Sequence, residues 1–212
     1  MLDPQQQIDH IAEFADSGVR VLHRQGSLIG VPDAYGLKRW LYARLGNRGN
    51  AIYTFLGSFA AITLSGAAAW AFNEPLLFPS LGATAFLFFE TPMAEIASPR
   101  NALIGHGVAI VAAMSALVIF GLLDTPSVYE AGVAPAQIGA VALAVALTGG
   151  ALRLLRAAHP PAGATTIIVA SGLLDEPRQL LAVALGVIIL TAASHGLNRV
   201  MGVAVPRWAG AR

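Results

Sequence analysis

The sequence contains one short motif twice, as PSLGAT at residues 79–84 and as HPPAGATT at residues 159–166. Both copies share the pattern P-x-x-G-A-T, and each is followed by a second match, PRN at 99–101 and PRQ at 177–179. Each motif opens an apolar stretch too short for an ordinary membrane span, and long apolar segments lie on both sides. The order long segment, short broken segment, long segment therefore occurs twice, which indicates a duplicated unit of about 80 residues.

The composition is that of a membrane protein. Of 212 residues, 56% are hydrophobic and 12% are charged, about half the charged share of a soluble domain. The net charge of +1 gives no bulk basic character that would indicate nucleic acid binding. The absence of cysteine excludes disulfides, thiolate metal sites and cysteine nucleophiles. No nucleotide-binding, hydrolase or metalloprotease motif is present, so we expect neither an enzyme nor a cofactor.

Four segments have the roughly 20 apolar residues that a membrane span needs, and none contains Lys, Arg, Asp or Glu: 51–72, 101–123, 134–152 and 179–198. We therefore predict an all-α polytopic membrane protein. Its parts are an N-terminal cytoplasmic region (1–50), a transmembrane domain (51–201; repeat one about 51–123, repeat two about 134–201) and a short cytoplasmic tail (202–212). Apolar residues at three- and four-residue steps between Ile8 and Leu22 predict an amphipathic helix. There are three alternatives for this helix: it packs on the membrane domain, it binds a partner subunit, or it lies in the interface between membrane and water.

The distribution of basic residues decides between two topologies. If only the four long segments cross, the two repeats are parallel. If the short segments also cross, only Arg178 of the 13 basic residues lies outside, which the positive-inside rule strongly favours. Three crossings per repeat is an odd number, so we predict inverted repeats. We place both termini in the cytoplasm and the protein in a bacterial inner (plasma) membrane.

The short segments predict a binding site. Pro79 and Pro160 can each begin a helix, and a half-helix of 12–14 residues is about 20 Å long. Its N-terminus then lies near the bilayer midplane, and inverted symmetry brings the two N-termini face to face. Free N–H groups and positive dipole ends there favour a small anion. The predicted substrate-binding residues are Ser80, Gly82, Ala83, Thr84, His159, Gly163, Ala164, Thr165 and Thr166. The alternative is that proline and small residues only kink and pack the helices.

His106, His159 and Arg100 are the candidates for proton coupling or gating, because an ionisable residue at membrane depth is by default a functional hypothesis. The alternatives are a neutral histidine bonded to a backbone carbonyl and an arginine that anchors the cytoplasmic edge. Arg153 and Arg156 draw anions toward an inner mouth, or only set the topology. Three scattered histidines without cysteine do not predict a metal site.

The HPPAGATT stretch resembles the signature of the HPP family of integral membrane proteins, as do SPRNALIGH at 98–106 and PSLGAT with the Phe-rich stretch after it. The family is usually described as having four transmembrane helices, and some plant members are implicated in nitrite transport. The resemblance and the predicted site together indicate a transporter or channel for a small monovalent anion, with nitrite as the leading candidate. The expected partners are the lipid bilayer, a small inorganic anion and a second copy in a homodimer, without nucleic acid. The rival interpretation is a non-transporting scaffold or sensor that binds partners through its N-terminal helix.

Overall fold

The computed structural model describes residues 36–73, 76–174, 176–206 and 208–209, and in these ranges it contains helices and turns but no strand. The amphipathic helix predicted between Ile8 and Leu22 lies outside the described residues. The helices are α1 Leu37–Leu45, α2 Asn47–Phe72, α3 Pro79–Glu90, α4 Pro99–Phe120, α5 Val128–Ala131, α6 Pro135–Leu154, α7 Ala162–Ala170 and α8 Pro177–Val200, with a 3₁₀ turn at Glu95–Ala97. Four of them, α2, α4, α6 and α8, are long and apolar enough to cross a membrane. The all-α membrane architecture is confirmed. We call α3 and α7 the half-helices.

Proline sets where several helices begin. It occupies the first position of α3, α4, α6 and α8, where its missing N–H would have no helical partner anyway. The second half-helix departs from the prediction, because it begins at Ala162 rather than Pro160 and has only 9 residues. A residue that precedes proline is disfavoured in the helical region. Pro160, which precedes Pro161, therefore belongs to the turn before α7.

Contacts between loops and helix ends define two faces of the bundle. At the Lys38 face, Lys38 Nζ donates to the carbonyl oxygens of Phe89 (2.9 Å) and Glu90 (2.8 Å), the last residues of α3. The end of α8 lies there too, since Leu37 N donates to Met201 O at 2.9 Å. At the opposite Ser127 face, the N–H of residue 128 donates to the carbonyl oxygen of residue 171, just after α7, at 3.1 Å.

The two half-helices therefore run in opposite directions, α3 toward the Lys38 face and α7 toward the Ser127 face. Each short segment joins the two faces, as the layout with six crossings requires. Helix pairing also follows a two-fold pattern: α2 packs on α8 as α6 packs on α4, and α3 packs on α2 and α8 as α7 packs on α6 and α4. The inverted symmetry itself stays a prediction.

The bundle interior is filled differently in its two halves. Small side chains, mainly alanines, pack between α4, α6 and α7, where they let helix backbones approach closely. Larger residues, including Tyr53, Phe88 and Phe89, fill the space between α2, α3 and α8. There the Tyr53 hydroxyl donates to Asn198 Oδ1, and Asn198 Nδ2 donates to Phe88 O at 3.1 Å. These hydrogen bonds satisfy polar groups that have no access to water.

Candidate functional site

The threonines of the two P-x-x-G-A-T motifs meet through one histidine. Thr84 Oγ1 lies 3.1 Å from His106 Nε2, and His106 Nδ1 lies 2.7 Å from Thr165 Oγ1. All three side chains are buried, with exposed fractions of 0%, 1% and 2%. Thr84 comes from α3, His106 from α4 and Thr165 from α7. The two half-helices thus converge, within their first two turns, on a single buried point.

His159 completes this group from the turn before α7. Its Nε2 lies 3.3 Å from Thr84 Oγ1, and its Nδ1 lies 2.9 Å from the carbonyl oxygen of Ile96. The His106 and His159 rings meet edge to face, with centroids 5.1 Å apart. We call Thr84, His106, His159 and Thr165 the central polar cluster.

Gly105 makes room for the cluster. A Cβ atom at position 105 would lie 2.9 Å from His159 Cβ and 3.3 Å from Ala162 Cβ. Such distances are shorter than ordinary van der Waals contact. The missing side chain therefore lets α4 approach closely the turn formed by His159, Pro160 and Pro161, which we call the HPP turn. Gly105 was not among the predicted site residues, although it lies within the SPRNALIGH stretch at 98–106.

Ser80 lies beside the cluster on the first turn of α3. Its side chain is 1% exposed, and its Oγ has no hydrogen-bond partner among the described residues. Its carbonyl oxygen accepts a hydrogen bond from Thr84 Oγ1 at 2.9 Å. A buried hydroxyl without a partner is costly, and a ligand at this position would give Ser80 the hydrogen bond that it lacks.

The remaining predicted residues differ in their surroundings. The N–H groups of Gly163 and Ala164 donate to the carbonyl oxygens of Pro160 (3.0 Å) and Pro161 (3.1 Å). The prediction of free N–H groups at these two residues is therefore wrong, because a tight turn at the helix start uses them. Thr166 bonds within α7 and to Thr148 of α6 at 2.9 Å. Gly82 is half-buried and Ala83 is exposed on α3.

Two adjoining cavities lie near the cluster, at the end of α6 and beside the turn before α7. The larger, of about 630 Å³, is lined by Arg100, Arg153 and Arg156 together with Glu95 and Ile96. The smaller, of about 320 Å³, is lined by His159, Pro160, Gly163 and Thr148. Leu152, Arg153 and Ala158 line both cavities. The arginine-lined cavity and the cavity beside His159 therefore adjoin at Arg153.

Arg100 holds the segment that leads into the HPP turn. Its guanidinium donates to the carbonyl oxygens of Leu155 (3.1 Å) and Arg156 (3.0 Å), just beyond the end of α6. A cation at a helix C-terminus satisfies free carbonyls and complements the helix dipole. Asn101 Nδ2 adds a bond to Ala158 O at 3.2 Å. None of these bonds joins Arg100 to the central polar cluster.

These features define a polytopic helical membrane protein with a buried polar cluster between two half-helices. The sequence model of the HPP transmembrane region matches residues 44–206, and the chain belongs to the HPP family. The chain is also similar to a transmembrane protein of Dictyostelium discoideum, with 30% identity over 126 residues. That match covers 57% of this chain and 40% of the relative, so the chain spans about two-fifths of the relative's length. No solved structure matches the chain.

Proposed function

We propose that this HPP-family protein is a transporter or channel for a small monovalent anion, with nitrite as the leading candidate. The anion binds where the half-helices begin, near the bilayer midplane. The observation that carries the proposal is the meeting of Thr84 and Thr165, equivalent positions of the two motifs, at a buried histidine in an apolar bundle. Movement of one repeat against the other would alternate access to this point.

The chemistry of the region suits an anion. The hydroxyls of Ser80, Thr84 and Thr165 and the imidazole N–H groups are hydrogen-bond donors. Apart from Glu90 at the far end of α3, neither half-helix contains an acidic residue. Both helix dipoles place their positive ends toward the cluster. In the present conformation Thr84, His106 and Thr165 contact one another directly, so an entering anion would replace these contacts.

The arginine-lined cavity supports a route for the anion. Basic residues at a cavity mouth raise the local concentration of anions, and Arg153 lines both cavities. From the positive-inside rule we expect this face to lie in the cytoplasm, and we propose a bacterial inner membrane as the location. Replacing Arg153 by Gln should lower kcat/KM for anions entering from this face, with a smaller effect on kcat. Arg153→Lys keeps the charge and should retain most of the activity, whereas equal kcat/KM in all three proteins would exclude Arg153 from the route.

The direct test is flux in proteoliposomes, with nitrite, nitrate, formate, chloride and bicarbonate compared side by side. We expect selective flux of one of these anions over protein-free liposomes. Flux that saturates and shows counterflow would identify a carrier. Flux with neither property would identify a channel. If none of the five anions is transported, the proposal fails, and the result favours the interpretation as a scaffold or sensor.

Gly163 offers a test of the site. A Cβ at position 163 would meet nothing within 4 Å, and the residue lines the smaller cavity. Gly163→Val should therefore leave folding intact, place its methyl groups in the cavity and abolish flux. Gly196→Val is the matched control, because Gly196 is exposed on α8 and also has open space around it. Unchanged flux in Gly163→Val would rule out this route to the site.

A further inference from the structure

We propose that His159 carries a proton together with the anion, and that the Thr84 hydroxyl couples the two. This inference rests on the proposed function, since it names the co-transported ion of the same site. It is drawn from the donors and acceptors around the two residues, which fit two protonation states of His159 without moving a heavy atom.

The neutral state follows from the partner of Nδ1. The carbonyl oxygen of Ile96, 2.9 Å from His159 Nδ1, only accepts, so Nδ1 carries the hydrogen. Nε2 of a neutral His159 then only accepts, so in this state the Thr84 hydrogen turns from the Ser80 carbonyl oxygen to Nε2, 3.3 Å away. Thr84 Oγ1 in turn accepts from His106 Nε2–H, and His106 Nδ1 accepts from the Thr165 hydroxyl. All four hydrogen bonds run in one direction.

The protonated state uses a different acceptor for Thr84. A proton that adds to the lone pair of His159 Nε2 turns this nitrogen into a donor, so Thr84 Oγ1 must now accept from it. The Thr84 hydrogen then rotates to the carbonyl oxygen of Ser80, which already lies 2.9 Å away. Only one N–H bond forms and one hydroxyl rotates. The proton enters from the aqueous phase through the smaller cavity, whose wall includes His159.

The surroundings explain why the proton would travel with an anion. A buried cation needs a counter-charge. The titratable group in contact with His159 is His106 from α4. Arg153 from α6 lines the same cavity as His159, and Glu95, beside Ile96, lines the adjoining cavity. Neither half-helix places a charged side chain at the cluster. An anion at the cluster would supply the missing negative charge, so proton and anion favour each other's binding.

The test uses proteoliposomes loaded with pyranine, with potassium and valinomycin holding the membrane potential at zero. Nitrite is added outside with and without an acidic exterior, and protein-free liposomes correct for permeation of nitrous acid. One pH unit corresponds to about 1.4 kcal/mol, or about a tenfold accumulation of the anion at one proton per anion. We expect nitrite accumulation of this size, which a protonophore should abolish because it collapses the pH gradient. Without the protonophore, added nitrite should also speed the acidification of the lumen.

Variants separate the parts of the inference. The response to the pH gradient should be lost in His159→Gln and in Thr84→Val and retained in Thr84→Ser, which keeps the hydroxyl. His195→Gln is the matched control, because His195 lies on α8 and its hydrogen-bond partner among the described residues is Arg199, at 3.1 Å. If His159→Gln fails to reach the membrane, the pair of Thr84 variants decides.

Each contrary result has a distinct meaning. If wild-type nitrite flux is the same with and without the pH gradient, proton coupling is refuted and anion transport is not. A normal gradient response in His159→Gln or in Thr84→Val overturns the role given to that residue. Absence of wild-type flux for all five anions instead contradicts the proposed function itself.

Discussion

Gly105 and Gly107 lie two residues apart on α4 and provide a matched pair of substitutions. A Cβ at position 105 would approach His159 Cβ to 2.9 Å, whereas a Cβ at position 107 would meet nothing within 4 Å. Replacing either glycine by alanine in a helix improves helix propensity by about 1 kcal/mol. Only Gly105→Ala also overpacks the interior, at a cost of about 1–3 kcal/mol. The free energy of unfolding of the two variants should therefore differ by about 1–3 kcal/mol.

This difference can be measured by thermal unfolding in detergent, followed by tryptophan fluorescence. For a chain of 150–250 residues, 1 kcal/mol corresponds to about 2–4 °C in Tm, so Gly105→Ala should unfold roughly 2–12 °C below Gly107→Ala. Gly105→Ala should also reduce anion flux, because a displaced His159 lengthens a contact to Thr84 that is already 3.3 Å. Equal Tm and equal flux in the two variants would refute the close packing of Gly105 on the HPP turn.

Three further predictions follow from the surrounding structure. Tyr53→Phe leaves the buried Asn198 Oδ1 without its donor, which should lower the free energy of unfolding by about 1–3 kcal/mol; an unchanged Tm would show that this bond contributes nothing. Burial lowers the pKa of Lys38 to about 8, against an opposing effect of Glu90. The unfolded chain therefore binds more protons between about pH 8 and 10.5, and the contribution of Lys38 to stability rises with pH across that window. The Tm of wild type minus that of Lys38→Met should grow there, and a constant difference would contradict the shift. Single cysteines at Arg156, before α7, and at Glu176, after α7, would replace exposed residues that flank this half-helix; an impermeant thiol reagent should label them from opposite sides of the membrane, and labelling from the same side would refute the crossing of α7.

The sequence was sufficient for the coarse architecture. Spans in lipid must be helical and about 20 residues long, so four long uncharged segments already predicted α2, α4, α6 and α8. The repeated P-x-x-G-A-T motif located both half-helices. The start of α7 was predicted two residues too early, although the Pro160–Pro161 pair carried the signal, since a residue before proline avoids the helical region.

The chemistry of the site depended on contacts between distant segments. The sequence marked His106 and His159 as candidates for proton coupling but did not show that the two side chains meet. His106 and His159 are 53 positions apart and meet because α4 packs on α7, whereas the half-buried His195 bonds Arg199 on its own helix. Likewise, the carbonyl of Ile96 fixes the hydrogen on His159 through a loop that no local pattern predicts.

The sequence by itself therefore determined which segments cross the membrane and which are broken, because span length and proline conformation are local properties of the chain. Only the tertiary structure decided which polar side chains face one another, because burial and hydrogen-bond direction depend on how separate helices pack. In this protein, helix packing brings two histidines and two motif threonines into contact. It also leaves the Ser80 hydroxyl, beside them, without a hydrogen-bond partner among the described residues.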